Sequence, residues 1–271
     1  MPEPRKETWE TLARWFPDLT DETWAALKEY CELLRDWNSK INLVSRKDTD
    51  RLELKHLAHC LTITKFLRLM PKARLLDVGT GGGLPGIPLA ICYPQARFTL
   101  LDSIGKKVMV VEDMASKLNL ENVEVRRGRV EEMPKKRSYD FVIGRAVTGL
   151  PTFFKWVHKK IAKGAKHSPA NGILYLKGGD YTEELAGTGP TPAKIWNLDE
   201  LLPEADLGEK YLILPKINGS KSKPAYTFSA YFQADCTADA AVGLTPFIGA
   251  LKKKLHGSNF EKGLYNENVS F

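Results

Sequence analysis

Apolar residues change their period near residue 70. Before that point they recur at three and four: Trp24, Leu27, Cys31 and Leu34, with Tyr30, Leu33 and Trp37 widening the stripe. That spacing makes one face of a helix, and the face is wide enough to pack against a sheet. Thr20 stands ahead of it as an N-cap, with Asp21 and Glu22 in the first turn, where carboxylates suit the positive helix end. Asn38-Ser-Lys-Ile-Asn42 breaks the pattern. A second helix is predicted from Thr49 to about Met70, with Leu54, Leu57, Leu61 and Ile63 to Leu67 turned inward.

After residue 73, short apolar runs alternate with amphipathic stretches, the pattern of βαβ units and a parallel sheet. Strands are predicted at 73–78, 97–102, 123–126, 139–146 and 172–177. Helices are predicted at 84–93, 105–118 and 151–162, with Pro151 suited to a first turn. Residues 180–208 read as loop-rich apart from a short helix at 182–185. Two late runs, 211–215 and 226–232, have no long helix between them and are predicted to pair antiparallel at one edge. The expected fold class is therefore α/β, a Rossmann-like sheet of five parallel strands plus an antiparallel edge pair, with an N-terminal helical extension. The expected division is a helical subdomain at 1–70, the sheet domain at 71–232 and an extension at 233–271. One short helix is expected in that extension, from Thr245 through His256.

Composition changes this picture little. Of 271 residues, 43% are apolar and 27% charged, proportions of an ordinary globular chain. No apolar run reaches the length of a membrane span. The first residues, Met-Pro-Glu-Pro-Arg-Lys-Glu, include acids and no apolar run, which argues against a secretory signal. Cys31, Cys60, Cys92 and Cys236 lie far apart without a C-x-x-C, so reduced thiols are expected rather than a disulfide frame. The net charge is +7, its excess falling after residue 70. This suits a polyanionic partner.

The stretch that bears chemistry is Asp77-Val-Gly-Thr-Gly-Gly-Gly-Leu-Pro-Gly86. Strand, glycine turn and helix make a nucleotide-type cradle, because glycine turns at positive φ and presents no Cβ to a ligand. A dinucleotide fingerprint asks for G-x-G-x-x-G, and here the third glycine is replaced by Leu84. Asp77, just ahead of the bend, would repel a pyrophosphate and suits a ligand with an ammonium and a sulfonium. S-adenosylmethionine carries both. Asp102 closes the next apolar run, where an acid fits ribose hydroxyls in either ligand class. A dinucleotide, or a glycine turn with no ligand, remains open at this point. His56 and His59, with Cys60 alongside, invite a metal reading, but no further ligand is evident nearby and the H-E-x-x-H spacing is absent. Hydrogen-bonded helix histidines are expected, and no metal.

The sequence resembles the RsmG (GidB) family of bacterial methyltransferases over roughly residues 15–232. The resemblance rests on Trp37-Asn-Ser-Lys-Ile-Asn42, the glycine stretch with its Leu-Pro-Gly86 ending, Leu101-Asp-Ser103 followed by Lys106-Lys107, Arg145-Ala-Val147 and Leu176-Lys-Gly-Gly179. It implies methyl transfer from S-adenosylmethionine to a guanine N7 of 16S ribosomal RNA. It also implies site roles. Gly79, Gly81, Gly83 and Leu84 line the methionine part, with Asp77 close by. Asp102 takes the ribose, Ser103 and Ile104 lie beside the adenine, and Val130 and Glu131 bound its other side. Arg145 faces the junction of cofactor and substrate, and Lys177 is a poorer candidate for the same task. Many members carry H-x-x-D-S before the first strand. Here the stretch reads His56-Leu-Ala-His59-Cys60, and no catalytic role is assigned to it.

Guanine N7 has a free lone pair and no proton to lose, so its methylation asks for alignment more than for acid–base help. The sequence agrees: it has no [DN]-P-P-[FY] after strand four and no Pro-Cys pair at strands four or five. Basic surface at Arg126, Arg127, Arg129 and Lys135-Lys136-Arg137 would guide RNA. The expected partner is 16S ribosomal RNA or the small ribosomal subunit, with no membrane, for a cytoplasmic monomer. The competing readings are a methyltransferase for a small molecule or protein, a non-catalytic RNA-binding module and a dinucleotide dehydrogenase.

Overall fold

The structure, a computed structural model, describes residues 6–216 except 135, 137, 165, 187–189, 203, 204 and 206 and the side chain of Arg46. All of these belong to one compact unit, Met1–Lys223. The expected strand at 226–232, the helix at 245–256 and Cys236 lie outside the described residues.

Two helices come first, α1 (Lys6–Trp15) and α2 (Asp21–Lys40). Thr20 caps α2 as expected, its hydroxyl accepting the Thr23 N–H at 3.3 Å. The expected stripe is the buried one. Leu27, Tyr30, Cys31 and Leu34 have no exposed surface, and burying each large side chain contributes roughly 1.5–3 kcal/mol. α2 gives way to a loop where the Asn38 amide turns back, its Oδ1 accepting the N–H groups of Leu43 at 2.8 Å and Val44 at 2.9 Å. Those loop donors would otherwise be left unpaired.

The expected continuous helix from Thr49 to Met70 is instead a chain of short turns. A 3-10 turn spans Arg46–Arg51 and a π turn Glu53–Leu57, followed by α3 (Ala58–Leu61) and a second 3-10 turn, Thr62–Lys65. Leu57, Leu61, Ile63 and Leu67 are buried as their spacing requires. Apolar spacing does not distinguish bonds to i+3, i+4 and i+5, so the pattern predicted the inward face and not the winding. Polar ties hold this segment as well. The Arg35 guanidinium takes both carboxylate oxygens of buried Glu53, and Lys65 Nζ donates to the Trp15 carbonyl at 2.6 Å.

The remaining elements are β1 (Arg74–Val78), α4 (Gly86–Cys92), β2 (Arg97–Asp102), α5 (Gly105–Lys117), β3 (Val123–Arg127), β4 (Phe141–Arg145), α6 (Leu150–Val157), β5 (Gly172–Gly178), α7 (Thr182–Leu185), β6 (Pro192–Asn197), α8 (Leu198–Leu201) and β7 (Lys210–Pro215). They build one seven-stranded sheet in the order β3-β2-β1-β4-β5-β7-β6. β1 to β5 run parallel, and β7 runs antiparallel to both β5 and β6. Five parallel strands and an antiparallel edge pair are thus the observed class, but the pair is not the expected one. β7 pairs with β6, which lies inside the stretch read as loop-rich. In β6 only Ile195 and Trp196 are large apolar residues, both half-buried beside Pro192 and Lys194. An edge strand with one partner needs no longer apolar run.

Element ends differ too. α4 begins at Gly86, two residues later than expected, because the turn bonds Gly83 N–H and Leu84 N–H to Thr80 O come first. α6 stops at Val157 and a 3-10 turn at His158–Lys160 follows. Ile161 leaves the helix to bridge Tyr139, and Ala162 N–H bonds the Tyr139 carbonyl at 2.7 Å.

Both sheet faces are covered, as a parallel sheet requires. Leu75 of β1 joins a core with Leu27, Leu34, Ile87 and Phe141 on one side. Its neighbours Leu76 and Val78 join Val142, Phe153 and Val157 on the other. The chain leaves β1 towards β2 and β3 in one direction and reaches β4 and β5 in the other. β1 and β4 therefore flank the switch point, outside whose carboxyl ends α/β sheets bind ligands. Val78 is level with Leu101 of β2 and with Gly144 of β4. The glycine bend and Arg145 consequently leave the sheet side by side.

Candidate active site

The bend after β1 is fixed from three sides. Gly79 and Thr80 both donate to the Leu101 carbonyl, at 2.8 and 3.0 Å. Gly79, Gly81 and Gly83 take φ of +69°, +60° and +84°, the left-handed region open to glycine at little cost. A Cβ on Gly79 would meet Val147 Cγ2 at 3.0 Å, and one on Gly83 would meet Ile87 Cδ1 at 2.5 Å. Gly81 differs: its nearest atom would be the Gly79 carbonyl at 3.9 Å, so this glycine borders open space. Val147, two residues past the end of β4, fills the room left by Gly79.

Asp77 is fully buried. Its Oδ2 accepts from Thr80 Oγ1 at 2.7 Å and from Gly86 N–H at 2.9 Å, bracing the turn and capping α4. Oδ1 is buried and has no hydrogen-bond partner among the described residues. Burial raises this carboxyl from 3.8 to about 6, against the opposing pull of its two hydrogen bonds. Asp102 is also buried, its Oδ2 accepting from Gly81 N–H at 2.9 Å and its Oδ1 from Ile104 N–H at 2.9 Å. Each of these oxygens keeps a second lone pair. Beyond Asp102, Ser103 is exposed and Ile104 is 49% exposed, an uncovered apolar side chain at the crevice. Across the end of β3, Val130 is buried in the core and Glu131 is exposed. Leu84 is buried in the core as well, so only its backbone faces the turn.

At the end of β4, Arg145 Nη1 lies 3.2 Å from His56 Nδ1. Lys177, near the end of β5, is held by Glu184 at 2.8 Å, and Glu184 also accepts the Leu150 N–H at 2.8 Å. The structure thus brings Asp77, Gly79, Gly81, Gly83, Asp102, Ser103, Ile104, Arg145 and Lys177 to one set of strand ends. Lys177 is tied into the first turn of α6, whereas Arg145 meets a neutral ring.

Residues 23–194 match the GidB family, described as rRNA small subunit methyltransferase G. The chain belongs to this family. A Ribosomal RNA small subunit methyltransferase G from Christiangramia forsetii is 50% identical over 73% of this chain and 92% of its own length. The protein of that name from Flavobacterium psychrophilum is 46% identical over 72% of this chain and 91% of its own. A solved geranyl diphosphate C-methyltransferase from Streptomyces coelicolor aligns with a TM-score of 0.46 and 14% identity, covering 80% of this chain and 100% of that one, a likeness too remote to bear on function.

In this GidB chain the expectation of hydrogen-bonded helix histidines holds for His56 Nδ1, which is bonded to Arg145, and fails at Nε2 of both rings. His59 is buried and His56 half-buried, and the buried Nε2 atom of each lacks a hydrogen-bond partner among the described residues. Asp48 Oδ2 is 3.5 Å from His56 Nε2, within ion-pair range but beyond a good hydrogen bond. Burial is the main cause that pushes His56 down to about 4, with the Arg145 cation second, and the same two causes push His59 down. No cluster able to hold a metal occurs among the described residues. The helix set aside from the site therefore reaches it. Lys210 of β7 acts by charge on both histidines as well. Nothing in a single sequence links position 56 to 145 or 210.

Arg126, Arg127, Arg129 and Lys136 are exposed, and Arg126 pairs with Glu124 at 2.7 Å. Lys135 and Arg137 lie outside the described residues. A groove of about 1240 Å³ runs past the opposite strand ends, by Arg74, Arg97 and Val123, and shares no residue with the glycine bend.

Proposed function

We propose that this protein transfers a methyl group from S-adenosylmethionine to N7 of a guanine in 16S ribosomal RNA. One observation carries the reading: the family match over 23–194 contains every crevice residue from Asp77 to Lys177. In this reading Gly79, Gly81, Gly83 and the Leu84 backbone line the methionine part of the cofactor. Asp77 keeps a free buried oxygen for which a cationic ligand is the natural partner. Asp102 takes the ribose hydroxyls on its remaining lone pairs. Ser103 and Ile104 border the adenine on one side, and Val130 and Glu131 on the other. The open side of Gly81 and the bare Ile104 side chain support this fit.

When bound, the cofactor supplies an electrophilic methyl on a sulfonium. The chain's task is then to hold guanine N7 in line with it, and no proton must be removed. Arg145 suits that task by donating to guanine O6 or to a flanking phosphate; a cation placed on N7 itself would oppose the charge that develops there. Lys177, engaged by Glu184, contributes less. The same proposal divides the chain into a helical part at 1–70, a methyltransferase domain at 71–232 and an extension at 233–271. It has the protein act as a monomer in the cytoplasm, on ribosomal RNA or the small subunit. No helix among the described residues is long and apolar enough to cross a membrane.

Thermal unfolding with added ligand tests the cofactor assignment. S-adenosylhomocysteine should raise the midpoint and NAD should leave it unmoved. Stabilisation by NAD alone would overturn the assignment.

A further inference from the structure

Three half-buried polar groups lie in a row between the N-terminal segment and the end of β4. Asp48, in the 3-10 turn Arg46–Arg51, sits 3.5 Å from His56 Nε2. His56, in the π turn, has its other nitrogen 3.2 Å from Arg145 Nη1. A guanidinium only donates. His56 Nδ1 must therefore be the acceptor, which leaves the ring neutral with its proton on Nε2, facing Asp48. The other charged groups acting on this ring are Arg145 and Lys210, and His59 is its titratable neighbour.

An arginine side chain has many rotamers, and holding one costs entropy. Arg145 is half-buried at a strand end, and the chain beyond it turns at once, Ala146 having a φ of +55°. The hydrogen bond that Arg145 donates to His56 restricts that freedom, and the remaining guanidinium N–H groups are its donors for a substrate.

We propose that His56, backed by Asp48, is a positioning residue for methyl transfer: it fixes the Arg145 guanidinium in the orientation that aligns the target guanine. The proposal rests on the reading of Arg145 given above. It gives the N-terminal helical segment a part in the reaction in addition to its part in packing.

Kinetics on unmethylated small subunits test it, with S-adenosylhomocysteine binding measured separately as a check on the fold. His56→Ala should lower kcat by about 10-fold to 100-fold, the scale of a misaligned reacting group, and leave cofactor affinity within about twofold. His56→Asn, whose Oδ1 can accept in place of Nδ1, should recover kcat to within about threefold of wild type. The decisive arm is a double-mutant cycle: in an Arg145→Ala background, His56→Ala should cost nothing further, because coupled residues do not add. If His56→Ala leaves kcat unchanged, or costs as much without Arg145 as with it, the proposal is overturned. Should the alanine variant lose cofactor binding altogether, the asparagine variant decides: low kcat with intact binding overturns the proposal. A wild-type protein that does not methylate small subunits defeats the functional reading itself, an outcome distinct from an active wild type indifferent to His56.

Discussion

The Tyr30 hydroxyl donates to the Gly82 carbonyl at 2.8 Å in a fully buried contact. Helix α2 is thereby bonded to the glycine bend, and it presses there together with the loop after it: a Cβ on Gly82 would meet Leu34 Cδ1 of α2 at 2.8 Å and Leu43 Cβ of the loop at 3.3 Å. Tyr30→Phe keeps the ring and removes the donor, leaving a buried carbonyl unpaired. The expected cost is about 1–3 kcal/mol of stability, with cofactor affinity falling several-fold as the bend loosens. Denaturant unfolding and calorimetry check both. Unchanged affinity would show that the bend holds its shape without α2.

Gly83 and Gly179 both take positive φ, +84° and +71°, but only Gly83 is crowded by its neighbours. Gly179→Ala should cost about 1–2 kcal/mol of backbone strain and leave cofactor binding intact. Gly83→Ala adds a clash with Ile87 at 2.5 Å and should abolish S-adenosylhomocysteine binding in a folded protein. Equal behaviour of the two variants in a binding titration would contradict this account of the cradle.

Burial holds the Asp77 carboxyl at about 6 instead of 3.8. A folded state that raises an acid's pKa favours its protonated form. The contribution is therefore complete below about pH 3.8 and is lost as the pH climbs through 6. His56 and His59 act oppositely. Lowered by burial from 6.5, they contribute fully above that value, and for His56 the contribution is lost as the pH falls through about 4. Asp77→Asn removes the first effect and keeps the second. Without cofactor the variant should gain on wild type as the pH rises from 4 to 7, by roughly 3 kcal/mol for a two-unit shift. It should also lose cofactor binding. Urea unfolding across that pH range gives the difference directly, and parallel profiles would contradict the burial argument.

Arg127 and Arg129 are exposed beside the end of β3. If they contact RNA phosphates, affinity for small-subunit RNA should fall steeply with salt. Arg127→Ala with Arg129→Ala should reduce the slope of log K against log salt by about 1.4, at about 0.7 per phosphate contact to single strands. An unchanged slope would place the RNA path elsewhere.

What the sequence disclosed and what it concealed follow from the range of the interactions. The bend from Asp77 to Gly86 was readable because its parts are near neighbours along the chain and its glycines answer to local φ. The stripe on α2 was readable because burial of one helix face leaves a period. β6 was not, since an edge strand buries little and Ile195-Trp196 is too short a run. The second service of Asp77 was also hidden. Its position suggested a ligand contact, whereas one oxygen braces Thr80 and Gly86 and only the other stays free. The pairing of His56 with Arg145 spans 89 residues and leaves no period at all.

The most direct measurement is the mapping of guanine N7 methylation in small-subunit RNA incubated with the protein and labelled S-adenosylmethionine, read by reductive cleavage at N7-methylguanine. The expected result is label at one guanine N7 of 16S ribosomal RNA, strongly reduced with Arg145→Ala although that variant still binds S-adenosylhomocysteine. Label on another atom or in protein alone, or equal labelling by the Arg145→Ala variant, would contradict the account.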